Sequence, residues 1–138
     1  MFINNEDYKV VIGDSALKVL SQSSAENIAN AEAEAIEEIS CYLRPVYDVD
    51  AVFAAEGDER NRLIVMYTAD IALYHLNASA PQRMGSEVRK ERYDRAIKWL
   101  EGVQAGRIVP DLPAASFDDS STGFGTSFHS APKLHHDW

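Results

Sequence analysis

The sequence predicts an all-α fold, a small bundle of four or five helices with an extended C-terminal tail. Along several segments of residues 1–113, apolar residues recur at three- and four-residue steps, which is typical of helices with one buried face. Proline and glycine separate these segments, and the composition changes sharply after Pro113. We therefore expect an α-helical domain at residues 1–113 and a flexible tail at residues 114–138 that becomes ordered on partners.

Length and composition limit the possible classes of protein. A chain of 138 residues has the size of one domain and can bury a core without a disulfide or a metal. Cys41 is the only cysteine, which excludes an intramolecular disulfide. The formal net charge of −9 argues against general binding to nucleic acid, which needs clustered Lys and Arg. Asp70 and His75 interrupt the longest apolar segment, and residues 1–9 lack a signal-peptide pattern, so we expect no membrane partner.

The first predicted helix begins at a polar cap and ends at a glycine. Asn4 or Asn5 can cap it, and Gly13 can adopt the left-handed conformation that stops a helix. Asp14 then begins a second short helix that ends in the polar residues 21–24. These two segments predict a helical hairpin or a broken helix.

A long helix is predicted over about residues 25–43. Ser24 is a good N-cap, and Pro45 ends the helix because proline disfavours helical geometry in the residue before it. Cys41 is interpreted as a small packing residue rather than a nucleophile. Apolar side chains are expected to hold the connector at residues 47–56 to the core. The helix contributes Ile28, Ala31, Ala35, Ile36, Ile39 and Leu43 to the predicted core, and the connector contributes Val49, Val52 and Phe53.

Two further helices are predicted over residues 59–78 and 87–104. The first is apolar on most sides, as the central helix of a bundle usually is. Asp70 lies in its middle, and a buried carboxylate needs a partner, which we expect from an Arg or Tyr of the next helix. Ser86 caps that next helix, and residues 108–110 lead outward from its end. Its predicted buried stripe consists of Tyr93, Ala96, Ile97, Leu100 and Val103.

Charge is unevenly distributed along the chain. Residues 24–39 contain five acids and no base, whereas residues 83–107 contain seven bases and four acids. Two interpretations remain open: two solvated helix faces, or an acidic face of one subunit that meets a basic face of the next. The second interpretation predicts an inter-subunit interface formed by Glu32, Glu34, Glu37, Glu38, Arg89, Lys90, Arg92, Arg95 and Lys98.

The C-terminal tail combines small polar residues with large aromatic ones. Residues 114–138 are rich in Ser, Thr, Gly and Asp, so they cannot bury enough apolar surface to fold alone. Aromatic side chains in such a tail are suited to docking in grooves of partners, and an ordinary frayed terminus is the alternative. The predicted docking residues are Phe117, Phe124, Phe128 and Trp138.

No arrangement in the sequence indicates catalysis or a cofactor. The tail histidines lack the i,i+4 spacing of a preformed metal site on a helix. The segment Gly123–Gly125 lacks the strand-to-helix context of a phosphate-binding loop. We therefore expect no catalytic, cofactor-binding or metal-binding residues and no enzyme activity. The residues considered for a metal site are His129, His135, His136 and Asp137.

Three segments resemble the phage Mu-like head–tail adaptor family over roughly residues 2–113. They are the opening F-x-x-x-x-D-Y-x-x-V-I-G, the helix ERNRLIVMYTADIALYHL and the run ERYDRAIKWLEGVQAGRIVPDLP. The resemblance implies a helical connector subunit that forms a ring, expected to contain twelve copies, between the portal of the filled capsid and the neck or tail. DNA would pass through the ring without sequence-specific binding.

The same resemblance implies a location and a set of partners. The location is the capsid–tail junction of the virion, with the host cytoplasm during assembly. The partners are further copies of the chain, the portal protein, and neck or tail-completion proteins that a C-terminal segment would contact. A helical DNA-packaging or regulatory module that binds through the basic helix at residues 87–104 is the alternative function.

Overall fold

A computed structural model describes residues 1–20, 24–79 and 86–116, and this part of the chain is helical. The described part contains α1 (Asn5–Leu20), α2 (Ala25–Leu43), α3 (Val49–Ala54), α4 (Arg62–Ser79) and α5 (Ser86–Gln104), with a 3-10 turn at Gly57–Glu59. The predicted all-α class is therefore confirmed. The predicted docking aromatics Phe117, Phe124, Phe128 and Trp138 and the tail histidines lie outside the described residues.

Helix α4 is the centre of the bundle. Helices α1, α2 and α5 all pack against it, and α2 also contacts α5. Ile64, Ile71 and Leu73 on α4 are fully buried, as are the smaller residues Ala69 and Ala72. A helix that is covered on several sides needs apolar residues around most of its circumference, which is the pattern that the sequence contains. The predicted central helix is thus confirmed.

Helix α1 begins at a reciprocal cap and is broken at a glycine. The Asn4 side-chain oxygen accepts a hydrogen bond from the Asp7 N–H at 3.0 Å, and the Asp7 carboxylate accepts one from the Asn4 N–H at 2.9 Å. Gly13 has φ 76° and ψ 167°, which is outside helical geometry. Because left-handed φ values favour glycine, Gly13 permits this break, and the predicted broken helix is confirmed.

Helix α2 has the predicted bounds but only part of the predicted burial. Ser24 Oγ accepts the Asn27 N–H at 3.2 Å, and the helix ends at Leu43. The prediction that Cys41 is a packing residue is wrong, because this thiol is exposed. Cys41 lies two residues after buried Ile39, about 200° around the helix, so the two side chains point in opposite directions. The predicted stripe divides into the buried residues Ala31, Ala35, Ile39 and Leu43 and the half-buried residues Ile28 and Ile36.

The connector after α2 contains a short helix that the sequence analysis did not predict. Asp48 caps α3, since its Oδ1 accepts the Ala51 N–H at 3.0 Å. Val49 and Val52 are buried as predicted, and the half-buried Phe53 ring meets the Phe2 ring edge-on at 5.0 Å. This connector therefore fastens the N-terminal residues to the core.

A glycine-dependent cap ends α5. Gly106 has φ 71°, and the N–H groups of Gly106 and Arg107 donate to the carbonyls of Val103 and Gly102 at 2.9 Å each. A Cβ on Gly102 would lie 2.6 Å from Ile108 Cδ1, so this glycine allows the Ile108 side chain to cover the helix end. Along the predicted stripe, Ala96, Leu100 and Val103 are buried, and Tyr93 and Ile97 are half-buried.

The segment after α5 does not lead outward, and that prediction is wrong. Asn61 Nδ2 donates to the Asp111 carbonyl at 3.2 Å, and the Asp48 N–H donates to the Pro113 carbonyl at 2.9 Å. The Ala115 N–H then donates to the Val46 carbonyl at 3.0 Å. These bonds return the segment to the connector between α2 and α3 and to the residue before α4, because its backbone groups find acceptors and donors there. The pairing continues two residues past the boundary predicted at residue 113.

Candidate assembly interface

A buried ion pair joins α4 to α5. Asp70 is only 3% exposed, and Arg92 Nε donates to Asp70 Oδ1 at 2.6 Å. A carboxylate removed from water is destabilised unless a charged partner and hydrogen bonds compensate it. The prediction that the next helix supplies the partner of Asp70 is confirmed. Arg92, which was also predicted to contact a neighbouring subunit, is therefore used inside the chain.

Glu38 links three helices through its two carboxylate oxygens. The Tyr93 hydroxyl on α5 donates to Oε1 at 2.6 Å, and His75 Nε2 on α4 lies 3.1 Å from Oε2. The Tyr74 ring stacks on the Tyr93 ring at 4.1 Å. Burial raises the pKa of Tyr93 well above its usual value, and the hydrogen bond to Glu38 raises it further. Glu38, predicted as an interface residue, thus joins α2 to α4 and α5.

Glu32 is also an internal residue. Its side chain is buried, and its Oε1 accepts the Ile3 N–H at 3.0 Å. This bond attaches the chain before α1 to the middle of α2. A signal for this role is present in the sequence: Glu32 lies four residues after Ile28 and three before Ala35, on the apolar face of α2. Its position on the helix therefore gives more information than its charge.

Arg60 forms a contact that the sequence analysis missed. Its guanidinium donates to the Phe2 carbonyl at 2.7 Å and to both oxygens of Asp7, at 2.7 and 3.2 Å. The hydrogen bond that Arg60 donates to Asp7 raises the pKa of Arg60 above its ordinary value. The pair holds α1 against the turn before α4. Because 53 residues separate the two partners in the sequence, no local pattern could have indicated the pair.

The remaining predicted interface residues lie on the surface. Glu34 and Glu37 on α2 keep 64% and 68% of their side-chain area exposed, and Glu37 is 3.7 Å from Arg44. Arg95 on α5 is 61% exposed and is 3.6 Å from Glu91. Lys90 and Lys98 on α5 are also exposed, whereas Arg89 is only partly so. Contact between these acidic and basic surfaces of two subunits stays a prediction.

A cleft opens at the surface of the described residues. The cleft has a volume of about 380 Å³ and lies between α1 and the start of α4, with the Asp7–Arg60 pair among its walls. Within residues 1–20, 24–79 and 86–116, no group of three or more His, Cys, Asp or Glu residues could hold a metal ion. None of the helices in this part of the chain is long and apolar enough to cross a bilayer.

The fold and these contacts define a small helical protein whose interior charges join its helices and whose exposed charges include Glu34 and Glu37 on α2 and Lys90, Arg95 and Lys98 on α5. The family model described as Bacteriophage Mu, Gp36 matches residues 2–127. The chain belongs to this family and is a phage protein, which confirms the phage Mu-like resemblance. Comparison with curated proteins and with solved structures gave no match.

Proposed function

We propose that this protein is a structural subunit of the phage head–tail connector. In this proposal, copies of the chain form a ring between the portal of the filled capsid and the neck or tail. Membership of the Bacteriophage Mu Gp36 family over residues 2–127 is the observation that carries the proposal. The protein would act during assembly in the host cytoplasm and remain in the virion at the capsid–tail junction, with a structural role and no catalytic one.

The outer charges support a ring. A subunit of a closed ring meets each of its two neighbours through a different surface, so the two surfaces need to be complementary. Glu34 and Glu37 on α2 supply acidic groups, and Lys90, Arg95 and Lys98 on α5 supply basic ones. Opposite charges at such a contact orient the subunits more than they add affinity.

The net charge supports passage of DNA through the ring. A chain with a net charge of −9 has a surplus of carboxylates, which repel the phosphate backbone. Weak affinity for DNA is useful in a channel, because tight binding would slow the passage of the genome. The expected interaction is therefore without sequence specificity.

The tail aromatics are proposed to dock on a neighbouring subunit, the portal or the next neck component. Because Ala115 still pairs with Val46, a truncation after Ser116 keeps the described contacts and removes the aromatics. We expect the truncated protein to keep the helical content of the full chain and to lose binding to its partners. Unchanged joining of head and tail components would show that these aromatic residues are dispensable.

Electron microscopy of the protein mixed with its portal is the direct test of the proposed function. A ring stacked on the portal is the expected result, and the absence of any ring or portal complex would contradict the proposal. The double variant Glu34→Lys, Glu37→Lys tests the acidic surface without disturbing Glu38, which holds Tyr93 and His75. Normal rings from this variant would refute the acidic-to-basic contact.

A DNA-packaging or regulatory module remains a second candidate, because Lys90, Arg95 and Lys98 expose three cations along α5. Binding to DNA through such residues weakens steeply as salt concentration rises. We expect the purified protein to show no tight binding at physiological salt. Sub-micromolar, salt-dependent binding under those conditions would favour this second function over a connector.

A further inference from the structure

Two arginines lie near one carboxylate where α5 packs on α4. Arg92 Nε donates to Asp70 Oδ1 at 2.6 Å, so Asp70 already has its ionic partner. Arg89 lies three residues earlier on α5, close enough that Arg92 disfavours its charge and Asp70 favours it. One negative and two positive side chains leave a net charge of +1 at this partly buried position.

Within the part of the chain that the structure describes, Arg89 is a partly buried cation whose guanidinium is incompletely hydrogen-bonded. Its Nη1 is buried and donates no hydrogen bond to any described residue. Burial lowers the pKa of Arg89, and the positive charge of Arg92 lowers it further. A guanidinium stays protonated in proteins, so this cost is not relieved by loss of a proton. The buried Nη1 is out of reach of an outside anion, but the side chain is partly exposed, so an anion that approaches its exposed part would offset the positive charge.

We propose that Arg89 forms an anion-binding site that takes a carboxylate of a second copy of this chain. The inference rests on the proposed ring and names the residue that joins its subunits. Glu34 and Glu37 are the fitting carboxylates, because both are more than 60% exposed and their ion pairs within the chain are long, at 3.9 Å to His75 and 3.7 Å to Arg44. An arginine binds a carboxylate through two parallel hydrogen bonds, which also fixes the orientation of the partner.

A carboxylate of a second copy fits this site better than a DNA phosphate. The chain carries 22 acidic and 13 basic residues, so its net negative charge opposes approach to DNA. A second copy instead presents exposed glutamates to the basic side of α5, where Lys90 flanks Arg89. The site therefore differs from a scattered surface charge, since its central cation is partly desolvated and both Lys90 and Arg92 beside it are cations.

Arg89→Gln in the full chain tests the site, with Lys90→Gln as the matched control. Both variants remove one positive charge from the same turn, but Lys90 is exposed and Arg89 is partly buried. Analytical ultracentrifugation is expected to give at least tenfold weaker self-association for Arg89→Gln and a change within twofold for Lys90→Gln. Arg89→Lys keeps the positive charge and is expected to self-associate more tightly than Arg89→Gln but less tightly than the wild type. Denaturant unfolding serves as the folding control, and Arg89→Gln is expected to be at least as stable as the wild type.

The outcomes separate this inference from the proposed function. Rings of normal size and affinity from Arg89→Gln would overturn the inference and leave the connector proposal intact. A wild-type chain that shows no self-association, alone or with its portal, would overturn both. Weaker binding of Arg89→Gln to double-stranded DNA, with unchanged self-association, would assign the site to phosphate and overturn the proposed carboxylate. Rescue of Arg89→Glu by Glu34→Lys and Glu37→Lys would support the site directly.

Discussion

The inner and outer faces of α2 and α5 use the same charged residue types for different purposes. On α2, Glu32 and Glu38 bond to Ile3 and Tyr93 within the chain, whereas Glu34, which lies between them, faces solvent. On α5, Arg92 pairs with buried Asp70, and Arg95, three residues later, is mostly exposed. Contacts with the neighbouring helices decide which charge holds the fold together and which remains for partners.

The two faces also differ in energy. A charge inside the bundle has lost its water, so removal of its partner leaves a desolvated group and a large cost. An exposed pair such as Arg95–Glu91 is screened by water and salt and contributes little to stability. The comparison therefore predicts large effects on folding from inner residues and small ones from outer residues, which the following substitutions test.

Arg92→Met is expected to have the largest effect. It leaves the Asp70 carboxylate buried without its partner, which should lower the free energy of unfolding by about 3–5 kcal/mol. Arg95→Met on the same helix is the control and should change this free energy by less than about 0.5 kcal/mol. Urea unfolding followed by circular dichroism measures both. Equal effects of the two substitutions would contradict the division between inner and outer charges.

Glu32→Ala is expected to cost about 1–3 kcal/mol, since it leaves the buried Ile3 N–H without an acceptor. Faster hydrogen exchange at the Ile3 amide should accompany the loss, because that amide is the donor to Glu32. Glu34→Ala, two residues later and exposed, is the matched control, with an expected change below about 0.5 kcal/mol. An unchanged Ile3 exchange rate in Glu32→Ala would remove the assigned anchoring role.

Two tyrosine hydroxyls are expected to respond in opposite directions. Tyr93→Phe removes the donor to Glu38 and should cost about 1.5 kcal/mol, whereas the buried Tyr8 hydroxyl has no hydrogen-bond partner among the described residues. Tyr8→Phe should therefore stabilise the protein by about 1 kcal/mol. Thermal and denaturant unfolding of both variants give the comparison. Destabilisation by Tyr8→Phe would mean that its hydroxyl makes a favourable contact.

The smallest effect concerns alkaline pH. Burial raises the pKa of the Tyr8 phenol above its ordinary value of about 10, and Glu32 and Asp7 raise it further. The folded state then holds this proton more tightly than the unfolded state, so the contribution is present below pH 10 and is lost as pH rises towards the folded pKa. Relative to Tyr8→Phe, the wild type should lose about 0.8 kcal/mol by pH 10.5. Parallel stability curves for the two proteins between pH 8 and 10.5 would refute this assignment.

The pattern of the sequence predicted most of the helices because their signals are local. Ser24 as cap, Pro45 as terminator and the three- and four-residue apolar steps of α2 all lie within one segment, so its bounds were correct. The same reasoning missed α3, because Asp48 caps a helix of only six residues, too short for a periodic pattern. It also predicted, wrongly, that residues 108–110 lead outward. The segment that follows them is held by hydrogen bonds to Val46, Asp48 and Asn61, which are about 50 or more residues away in the sequence, so no local pattern could indicate these bonds.

The candidate interface was predictable as a set of charges but not as a surface. A run of glutamates or arginines indicates a charged helix, and helical spacing alone could have placed Glu32 on the buried face. Which of the other charged residues is bonded within the chain depends on side chains from other helices. Tyr93 and His75 contact Glu38, and Asp70 pairs with Arg92. Those contacts reduce the exposed acidic and basic sets, and among the described residues they leave Arg89 with a buried nitrogen that has no hydrogen-bond partner.

By itself, the sequence determined the all-α class, the bounds of the long helices and the need of Asp70 for a partner. Caps and apolar periodicity act within one segment, and the cost of burying a charge belongs to one residue. Only the tertiary structure decided which partner Asp70 takes, that Glu32, Glu38 and Arg92 belong to the interior, and that the chain after α5 returns to the connector. The physical reason is that desolvation is a property of the packed environment, which residues distant in the sequence create together.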